Sequence, residues 1–252
     1  MADTTSFGQV IGPKVTVHDA KPPTTSLING THVVLEHLDI SRHGADLWES
    51  IGQNEAGWTY IPNYGPYTTK ASFDSDLEKI GNWPGCIFYT VILRSTSRAV
   101  GILALINKKP SDRAIEIGFV VFSPILQRTV AATETFYLLA RHVFDDCGYR
   151  RYVWKCDSLN APSRAAAARL GFVHEGIHRH DIIVKGRNRD TAWFSITEEE
   201  WPVRKRAFER WLAADNFDEE GRQLKGLVEL REEEEVRAVS YTHLTLPTKR
   251  IV

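Results

Sequence analysis

The segment from Glu116 to Glu134 combines a carboxylate, a short turn and small side chains in a way that suits a reactive site. It runs as an apolar strand, a tight turn and the start of a helix, with Ala131 and Ala132 at the helix start. The first N–H groups of a helix lack intrahelical partners, and with the helix dipole they attract an anion such as a pyrophosphate. The segment therefore predicts either an anion-binding turn or a plain strand-to-helix connection.

The elements that must position this segment follow from the periodicity of the apolar residues. Apolar runs between turn residues predict strands, and apolar spacings of three and four predict helices. Short polar connectors at 94–98 and 108–112 make the three central strands an antiparallel meander. The predicted order is β-α-α-β-β-β-α-β-α-β-β, with strands at 33–38, 86–93, 99–106, 115–122, 152–156, 172–184 and 191–196 and helices at 41–51, 68–80, 129–147 and 162–170.

The two ends of the chain differ from this middle part, which we take as one domain over 27–197. Residues 1–26 are rich in Gly, Pro, Thr and Ser and predict an irregular N-terminal arm, whereas 198–237 predict a charged helical extension. Its acidic run, Glu232 to Glu235, is typical of a solvated helix face. Residues 238–252 resemble translated sequencing-adapter read-through and are interpreted as a non-native tail.

Charge and composition exclude several classes of function. The chain has 31 Lys and Arg against 32 Asp and Glu, so no strong field favours nucleic acid or an anionic membrane. No stretch approaches the about 18 apolar residues of a membrane span, and the N-terminus does not resemble a signal peptide. Cys86, Cys147 and Cys156 form no disulfide or zinc pattern, which indicates a reducing compartment and predicts a cytoplasmic protein.

Five motifs follow one another in a specific order: Glu116-Ile-Gly118, Ser123-Pro-Ile-Leu-Gln-Arg-Thr129, Asn160-Ala-Pro-Ser-Arg164, Leu170-Gly-Phe172 with Glu175-Gly176, and Lys185-Gly-Arg-Asn-Arg-Asp190. In this arrangement the sequence resembles the GNAT superfamily of acyl-CoA-dependent N-acyltransferases, in its RimJ/RimL-like branch, over about residues 27–196. The resemblance implies an α/β (α+β) fold with a mixed, mostly antiparallel sheet of about seven strands and helices on both faces. It also implies a splay between the fourth and fifth strands.

The phosphate turn of that family has the pattern Gln/Arg-x-x-Gly-x-Gly/Ala, which here reads Gln127-Arg-Thr-Val-Ala-Ala132. Val130 stands where glycine is usual, and because valine does not easily take a positive φ we expect a right-handed backbone there. Arg128 either contacts phosphate through a charge-assisted hydrogen bond or is a solvated arginine. The implied phosphate-binding residues are Gln127, Arg128, Thr129, Val130, Ala131, Ala132 and Thr133.

The resemblance also implies where the pantetheine arm of acetyl-CoA lies. The arm enters the gap between the splayed strands, where an N–H group at Val120 or Val121 polarises the thioester carbonyl. Asn160 holds the pantetheine amide, Ser163 contacts the cofactor or lies near the departing sulfur, and Arg164 faces the anionic cofactor. The implied residues of this part are Phe119, Val120, Val121, Phe122, Asn160, Ser163 and Arg164.

The attacking amine must be neutral, so its pKa decides whether a base is needed. A lysine-like amine, with a pKa of about 10.4, needs a base, whereas an α-amine of about 7.7–8.0 is already substantially deprotonated at neutral pH. Glu116 is the candidate base, directly or through water, and the alternative is an outward polar residue on an alternating strand. The tyrosine that many relatives use as general acid is absent, so Ser163 or water supplies the proton. Cys156 is interpreted as a core thiol.

The acceptor side has aromatic and histidine candidates. Four aromatic residues of the Gly- and Pro-rich segment 57–67 either wall the acceptor site or pack ordinarily. His178 shares a strand face with two other histidines and Asp181, which we interpret as bordering the acceptor cleft; metal binding is the alternative, but this chemistry needs no metal. The aromatic candidates are Trp58, Tyr60, Tyr64 and Tyr67.

The sequence thus predicts an N-acetyltransferase that moves an acetyl group from acetyl-CoA to a primary amine, with coenzyme A as the other product. The amine is a small molecule or a protein N-terminus, and the transfer is a direct attack within a ternary complex. The alternative is a non-catalytic acyl-CoA-binding or interaction module, which Val130 and the missing tyrosine favour. No nucleic-acid or membrane partner is expected, and the chain is a monomer or a homodimer.

Overall fold

The computed structural model describes residues 3–244 of the chain, and its elements are numbered here in chain order. The strands are β1 (Asp3–Thr4), β2 (Val10–Ile11), β3 (Leu27–Asn29), β4 (Val33–His37), β5 (Ile87–Leu93), β6 (Arg98–Lys109), β7 (Ala114–Phe122), β8 (Arg151–Asp157), β9 (Val173–Val184) and β10 (Arg187–Thr197). The α-helices are α1 (Ile40–Leu47), α2 (Lys70–Gly81), α3 (Val130–Arg141), α4 (Ala161–Arg169), α5 (Trp201–Leu212) and α6 (Leu227–Leu244). Short π-helical turns at 48–52 and 142–146 extend α1 and α3.

Eight of these strands form one sheet, in the order β3-β4-β5-β6-β7-β8-β10-β9. Every neighbouring pair is antiparallel except β7 and β8, which run parallel. A parallel pair needs a crossover connection, and α3 supplies it. The predicted mixed, mostly antiparallel sheet is confirmed; the strand beyond the seven expected is β3, a short edge strand on β4.

The parallel pair opens along its length. Only residues 114–117 of β7 pair with residues 151–154 of β8, ending at Ile117 opposite Trp154. The rest of each strand, 118–122 and 155–157, has no partner in the other. This is the splay predicted between the fourth and fifth strands.

Helix α3 is tied to the far edge of the sheet by one buried carboxylate. Glu134 accepts hydrogen bonds from the N–H groups of Thr31, His32 and Val33 at 2.7, 2.7 and 2.9 Å. Gly30 permits this contact, because a Cβ atom there would lie 2.6 Å from Glu134 Oε2. These bonds fix where the N-terminus of α3 lies relative to the sheet.

The C-terminal extension packs into the main core. The apolar residues of α5 and α6 that join this core are Trp201, Ala207, Phe208, Trp211, Leu227 and Leu230. The prediction of a solvated acidic run is wrong for Glu234, which is 2% exposed and pairs with Arg206, Arg210 and Arg237 at 2.7, 2.9 and 3.0 Å. A buried carboxylate needs such partners to offset its desolvation.

Both ends of the chain are described only in part. Within the arm, β1 and β2 form a small antiparallel pair, and the backbone is irregular from residue 12 to 25. The proposed non-native tail begins inside α6, which runs to Leu244, and residues 245–252 lie outside the described residues. None of the helices in the described part of the chain is long and apolar enough to cross a bilayer.

Candidate active site

A single cleft of about 1850 Å³ opens where β7 and β8 separate. This exceeds the roughly 300–1,000 Å³ of an ordinary small-molecule pocket, so it has room for a large ligand beside a second one. The predicted site residues that line it are Tyr60, Glu116, Phe119, Val120, Phe122, Gln127, Arg128, Thr129, Val130, Ala132, Thr133, Asn160 and Ser163. Those that do not line it are Trp58, Tyr64, Tyr67, Val121, Ala131, Arg164 and His178.

A β-bulge in β7 shapes one wall of the cleft. Gly118 pairs with Ala104 and Val121 with Ile102, so Phe119 and Val120 both stand opposite Leu103. Phe119 has a φ of 53°, a conformation that is uncommon for a bulky residue. A bulge interrupts the ladder and redirects backbone groups, which places the predicted carbonyl-polarising segment at a feature suited to that role.

Glu116 lies inside the cleft and is not an outward surface residue. Its side chain is 9% exposed, and Oε2 accepts from Asn107 Nδ2 at 2.8 Å and lies 2.7 Å from Lys155 Nζ. The Lys155 ammonium also sits 3.8 Å from the centre of the Trp193 ring, a cation–π contact. Oε1 has no hydrogen-bond partner within residues 3–244, so one oxygen is held and the other is free.

Sequence reasoning missed Lys155. Its signal was a charged residue in the apolar run Tyr152-Val-Trp-Lys-Cys156. Side chains alternate along a strand, so Lys155 points away from the core face that Tyr152 and Trp154 fill. The contact with Glu116 further requires the parallel register of β7 and β8, which no local pattern reveals.

The phosphate turn has the predicted conformation at Val130, which is the first residue of α3 and is helical. The positive φ falls instead on Arg128, at 63°. Thr129 is the N-cap, and its Oγ1 accepts from the Ala132 N–H at 3.2 Å. Among the described residues, the N–H groups of Arg128, Val130 and Ala131 have no partner. They fit an anionic phosphate group.

Two side chains of this turn serve its own structure. Gln127 Nε2 donates to the Phe122 carbonyl at 2.7 Å, and Thr129 Oγ1 donates to the Leu126 carbonyl at 2.6 Å. The hydroxyl of Thr133 accepts from Arg169 Nη1 at 3.2 Å. The turn is thus held rigid from within, and its backbone N–H groups are left for a ligand.

The start of α4 faces the same gap. Asn160 is the N-cap, with Oδ1 accepting from the Ser163 N–H at 3.2 Å, and Ser163 Oγ accepts from Trp154 Nε1 at 3.0 Å. Arg164 is exposed and donates to the Ser158 carbonyl at 3.3 Å. Burial raises the pKa of the Cys156 thiol, which agrees with a core thiol.

The aromatic segment is mostly packed behind the cleft. Trp58 is fully buried with its ring 5.0 Å from that of Tyr67, and Tyr64 packs against Phe119 at 5.6 Å. Only Tyr60 reaches the cleft, where its hydroxyl donates to the Leu159 carbonyl at 3.3 Å.

Of the face of β9 that carries the histidines, Asp181 lines the cleft but none of the three histidines does. The His178 side chain is 58% exposed, and its ring lies 4.6 Å from that of Trp193. In the described part of the chain, no cluster of three or more His, Cys, Asp and Glu side chains could hold a metal ion.

The geometry agrees with comparisons to known proteins. The sequence pattern of the acetyltransferase (GNAT) domain matches residues 32–173. The chain belongs to the GNAT acetyltransferase family. It is 40% identical to a GCN5-related N-acetyltransferase from Brucella melitensis, whose crystal structure covers 85% of this chain and 98% of its own with a TM-score of 0.81.

Two further relatives are named as ribosomal acetyltransferases. The chain is 27% identical over 101 residues to the protein named "Putative ribosomal N-acetyltransferase YdaF" of Bacillus subtilis. The matched segment is 40% of this chain and 55% of that protein. It therefore spans about half the length of this curated relative. RimL, a ribosomal L7/L12 alpha-N-protein acetyltransferase solved with coenzyme A, shares the fold at 21% identity and a TM-score of 0.57, covering 68% of this chain and 97% of its own.

The family match confirms the predicted GNAT superfamily, and the name of the Bacillus subtilis relative is consistent with the RimJ/RimL-like branch. They class the chain with the acyl-CoA-dependent acetyltransferases, whose acyl donor is acetyl-CoA.

Proposed function

We propose that this GNAT protein transfers an acetyl group from acetyl-CoA to a primary amine by direct attack within a ternary complex. One observation carries the proposal: a single cleft contains a carboxylate with a free oxygen, a bulged strand and an unpaired helix N-terminus. These are a proton acceptor, a carbonyl-polarising segment and an anion site. A structural domain would have no need to keep all three in one opening.

The residues of the α3 turn would hold the donor. The free N–H groups of Arg128, Val130 and Ala131 suit its pyrophosphate, and the Arg128 side chain lines the same part of the cleft. Asn160 and Ser163 line the gap that receives the pantetheine arm. When bound, acetyl-CoA supplies an activated thioester.

Glu116 would accept the proton of the amine through Oε1, directly or through a water molecule. Because Asn107 and Lys155 occupy Oε2, the carboxylate cannot rotate without breaking two hydrogen bonds. The bulge at Phe119 and Val120 presents backbone to the acyl carbonyl, where an N–H group stabilises developing negative charge.

A strong general acid is less important in this reaction. The helix α4 has Ala165 to Ala168 where many relatives have a tyrosine. A thiol leaves with a pKa of only about 8.5, so Ser163 or water is sufficient as proton donor.

The acceptor is a small-molecule amine or a protein N-terminus. The names of YdaF and RimL give the second class its support, because both describe ribosomal acceptors. Tyr60 lies at the acceptor side and links its loop to Leu159 across the cleft. The cytoplasm is the proposed compartment, in keeping with three free cysteines.

Release of free thiol from acetyl-CoA with a panel of small amines and short peptides tests the proposal, and product masses show which amine is acetylated. We expect turnover with at least one acceptor, and Glu116→Gln should lower kcat by about 100-fold or more while acetyl-CoA affinity is kept. The melting temperature of the variant controls for folding. Binding without turnover, and no effect of Glu116→Gln, would instead support the acyl-CoA-binding module.

A further inference from the structure

One end of the cleft is built by the C-terminal extension. Trp211 at the end of α5, and Phe217 and Gln223 in the loop that follows, line this end together with Arg169 of α4. The three extension residues lie outside residues 32–173, which the family pattern matches. This wall of the cleft is therefore formed by residues beyond those that the family pattern matches.

Arg169 is a half-buried cation without a counter-ion among residues 3–244. Its Nη1 donates to Thr133 Oγ1 at 3.2 Å, and its guanidinium carbon lies 5.2 Å from the centre of the Trp211 ring. Burial lowers the pKa of this group, and no charged neighbour opposes the effect. A desolvated guanidinium is a ready partner for an anion, above all a phosphate, which it can bind with two parallel hydrogen bonds.

The position of Arg169 links it to the phosphate turn. Thr133 is in the first turn of α3, one residue after Ala132, so Arg169 lies beside the helix N-terminus proposed for the pyrophosphate. A second phosphate of the same ligand would then reach Arg169 within the same cleft.

The loop that carries Phe217 and Gln223 is held in place. Asn216 is buried, and its Nδ2 donates to the carbonyls of Trp211 and Lys225 at 3.1 and 3.2 Å. Phe217 and Gln223 form a backbone bridge with each other. The wall therefore does not have to become ordered when a ligand binds.

The acidic residues of this loop do not oppose an anion in the cleft. Asp218 and Glu220 both pair with Arg222 at 2.8 Å, and none of the four acidic residues Asp215, Asp218, Glu219 and Glu220 lines the cleft. The loop presents to the cleft an aromatic ring, a glycine and an amide, from Phe217, Gly221 and Gln223.

We propose that Arg169, Phe217 and Gln223 form the subsite for the 3′-phosphoadenosine end of the acyl-CoA donor, an inference that rests on the proposed function. Arg169 binds the 3′-phosphate, the Phe217 ring packs against the flat adenine, and the Gln223 amide can both donate to and accept from the base. The extension thereby selects full CoA thioesters over donors that lack the 3′-phosphate.

Calorimetric titration with coenzyme A and with 3′-dephospho-coenzyme A tests the role of Arg169. We expect the wild-type protein to bind coenzyme A about tenfold more tightly, and Arg169→Gln to lose most of this preference. The matched control is Arg231→Gln, because Arg231 donates to the Ala168 and Arg169 carbonyls yet does not line the cleft. It removes the same charge near the same helix end and should keep the preference.

Binding of S-acetyl-4′-phosphopantetheine, which lacks the adenosine part, tests the loop. Phe217→Ala should weaken coenzyme A and dephospho-coenzyme A alike, by about tenfold, and leave the affinity for the shorter donor unchanged. Gln223→Ala should show the same pattern with a smaller loss.

The outcomes separate this subsite from the proposed function. Equal wild-type affinity for coenzyme A and its dephospho form, or a uniform loss for all three ligands in the variants, would overturn the subsite while leaving the transferase proposal standing. Failure of the wild-type protein to bind any of the three would overturn both.

Discussion

Lys155 Nζ lies 2.7 Å from Glu116 Oε2, across the point where the sheet opens. Lys155 is the first residue of β8 beyond the last β7–β8 pair, whereas Glu116 is still within the paired part of β7. The ion pair therefore bridges the mouth of the splay and is covered by the Trp193 ring on the lysine side. The ion pair joins β7 and β8 at the gap, and by holding Oε2 it fixes the position of the free Oε1 of Glu116.

Replacing Lys155 by Met tests this relationship. The Glu116 carboxylate would keep Asn107 but lose the second contact that holds Oε2, so Oε1 would no longer be fixed in place and kcat should fall by about tenfold. We expect a loss of about 2 kcal/mol in the free energy of unfolding, because a mostly buried charge loses its partner. Steady-state kinetics and denaturant titrations measure the two effects.

Lys155→Arg is the matched control, since it keeps the charge and should keep most of kcat. An unchanged kcat in Lys155→Met would show that the ion pair does not position the candidate base.

Arg128 combines a strained backbone with a candidate phosphate contact. Its φ of 63° costs free energy for any side chain with a Cβ atom, so Arg128→Gly should raise the free energy of unfolding by about 1 kcal/mol. The same change should weaken acetyl-CoA binding, more at low salt than at high salt, because the lost interaction is between charges. Calorimetric titration at two ionic strengths and thermal melting provide both readouts.

Arg128→Ala serves as the control, because it removes the charge and keeps the strain. If either variant binds acetyl-CoA as tightly as the wild-type protein at both salt concentrations, a phosphate contact is ruled out and Arg128 is a solvated arginine.

The fold could be predicted because its signals are local and repeated. Alternating strands, the apolar stripe of α3 and the order of the five motifs all indicate one arrangement, and the steric limits of valine gave the conformation at Val130. The acidic run of α6 misled, because Arg206 and Arg210 on the facing helix α5, with Arg237 on α6 itself, pair with the buried Glu234. A charge run has the same composition whether it is solvated or paired.

The site was less accessible to sequence reasoning, since its contacts depend on tertiary register. Trp58 and Tyr60 are two residues apart in one loop, yet only Tyr60 lines the cleft and Trp58 is fully buried. Arg169 directly precedes the Leu170-Gly-Phe172 motif, but its contact with Trp211 in the cleft depends on the C-terminal extension, which lies outside the five motifs.

The contact between Glu134 and the backbone beside Gly30 predicts that substitutions at these two residues have non-additive effects on stability. Glu134→Ala should cost about 3 kcal/mol in the free energy of unfolding, because three backbone N–H groups lose a charged acceptor. Gly30→Ala should also destabilise, since its Cβ atom would lie 2.6 Å from Glu134 Oε2. In the Glu134→Ala background the second change should cost less, and denaturant titration of the four proteins measures this coupling. Strictly additive losses would contradict the contact.

The buried imidazole of His43 predicts how stability depends on pH. Its Nδ1 accepts from the Asp39 N–H at 3.2 Å, and the side chain is 4% exposed, so the folded protein holds the neutral ring. Burial is the main cause that lowers the pKa of His43, with Arg42 adding to it. Protons then bind preferentially to the unfolded chain, where a histidine has a pKa of about 6.5. Stability should fall as the pH drops below about 6.5, toward the folded-state pKa.

His43→Gln removes this contribution to the pH dependence, whatever it does to stability at neutral pH. Thermal melting between pH 7.5 and 5.5, a range chosen to bracket the histidine pKa of about 6.5, should therefore give a shallower fall in Tm for the variant than for the wild-type protein. Parallel curves would mean that the His43 ring takes up a proton as readily in the folded protein as in the unfolded chain, against the hydrogen bond that its Nδ1 accepts from Asp39.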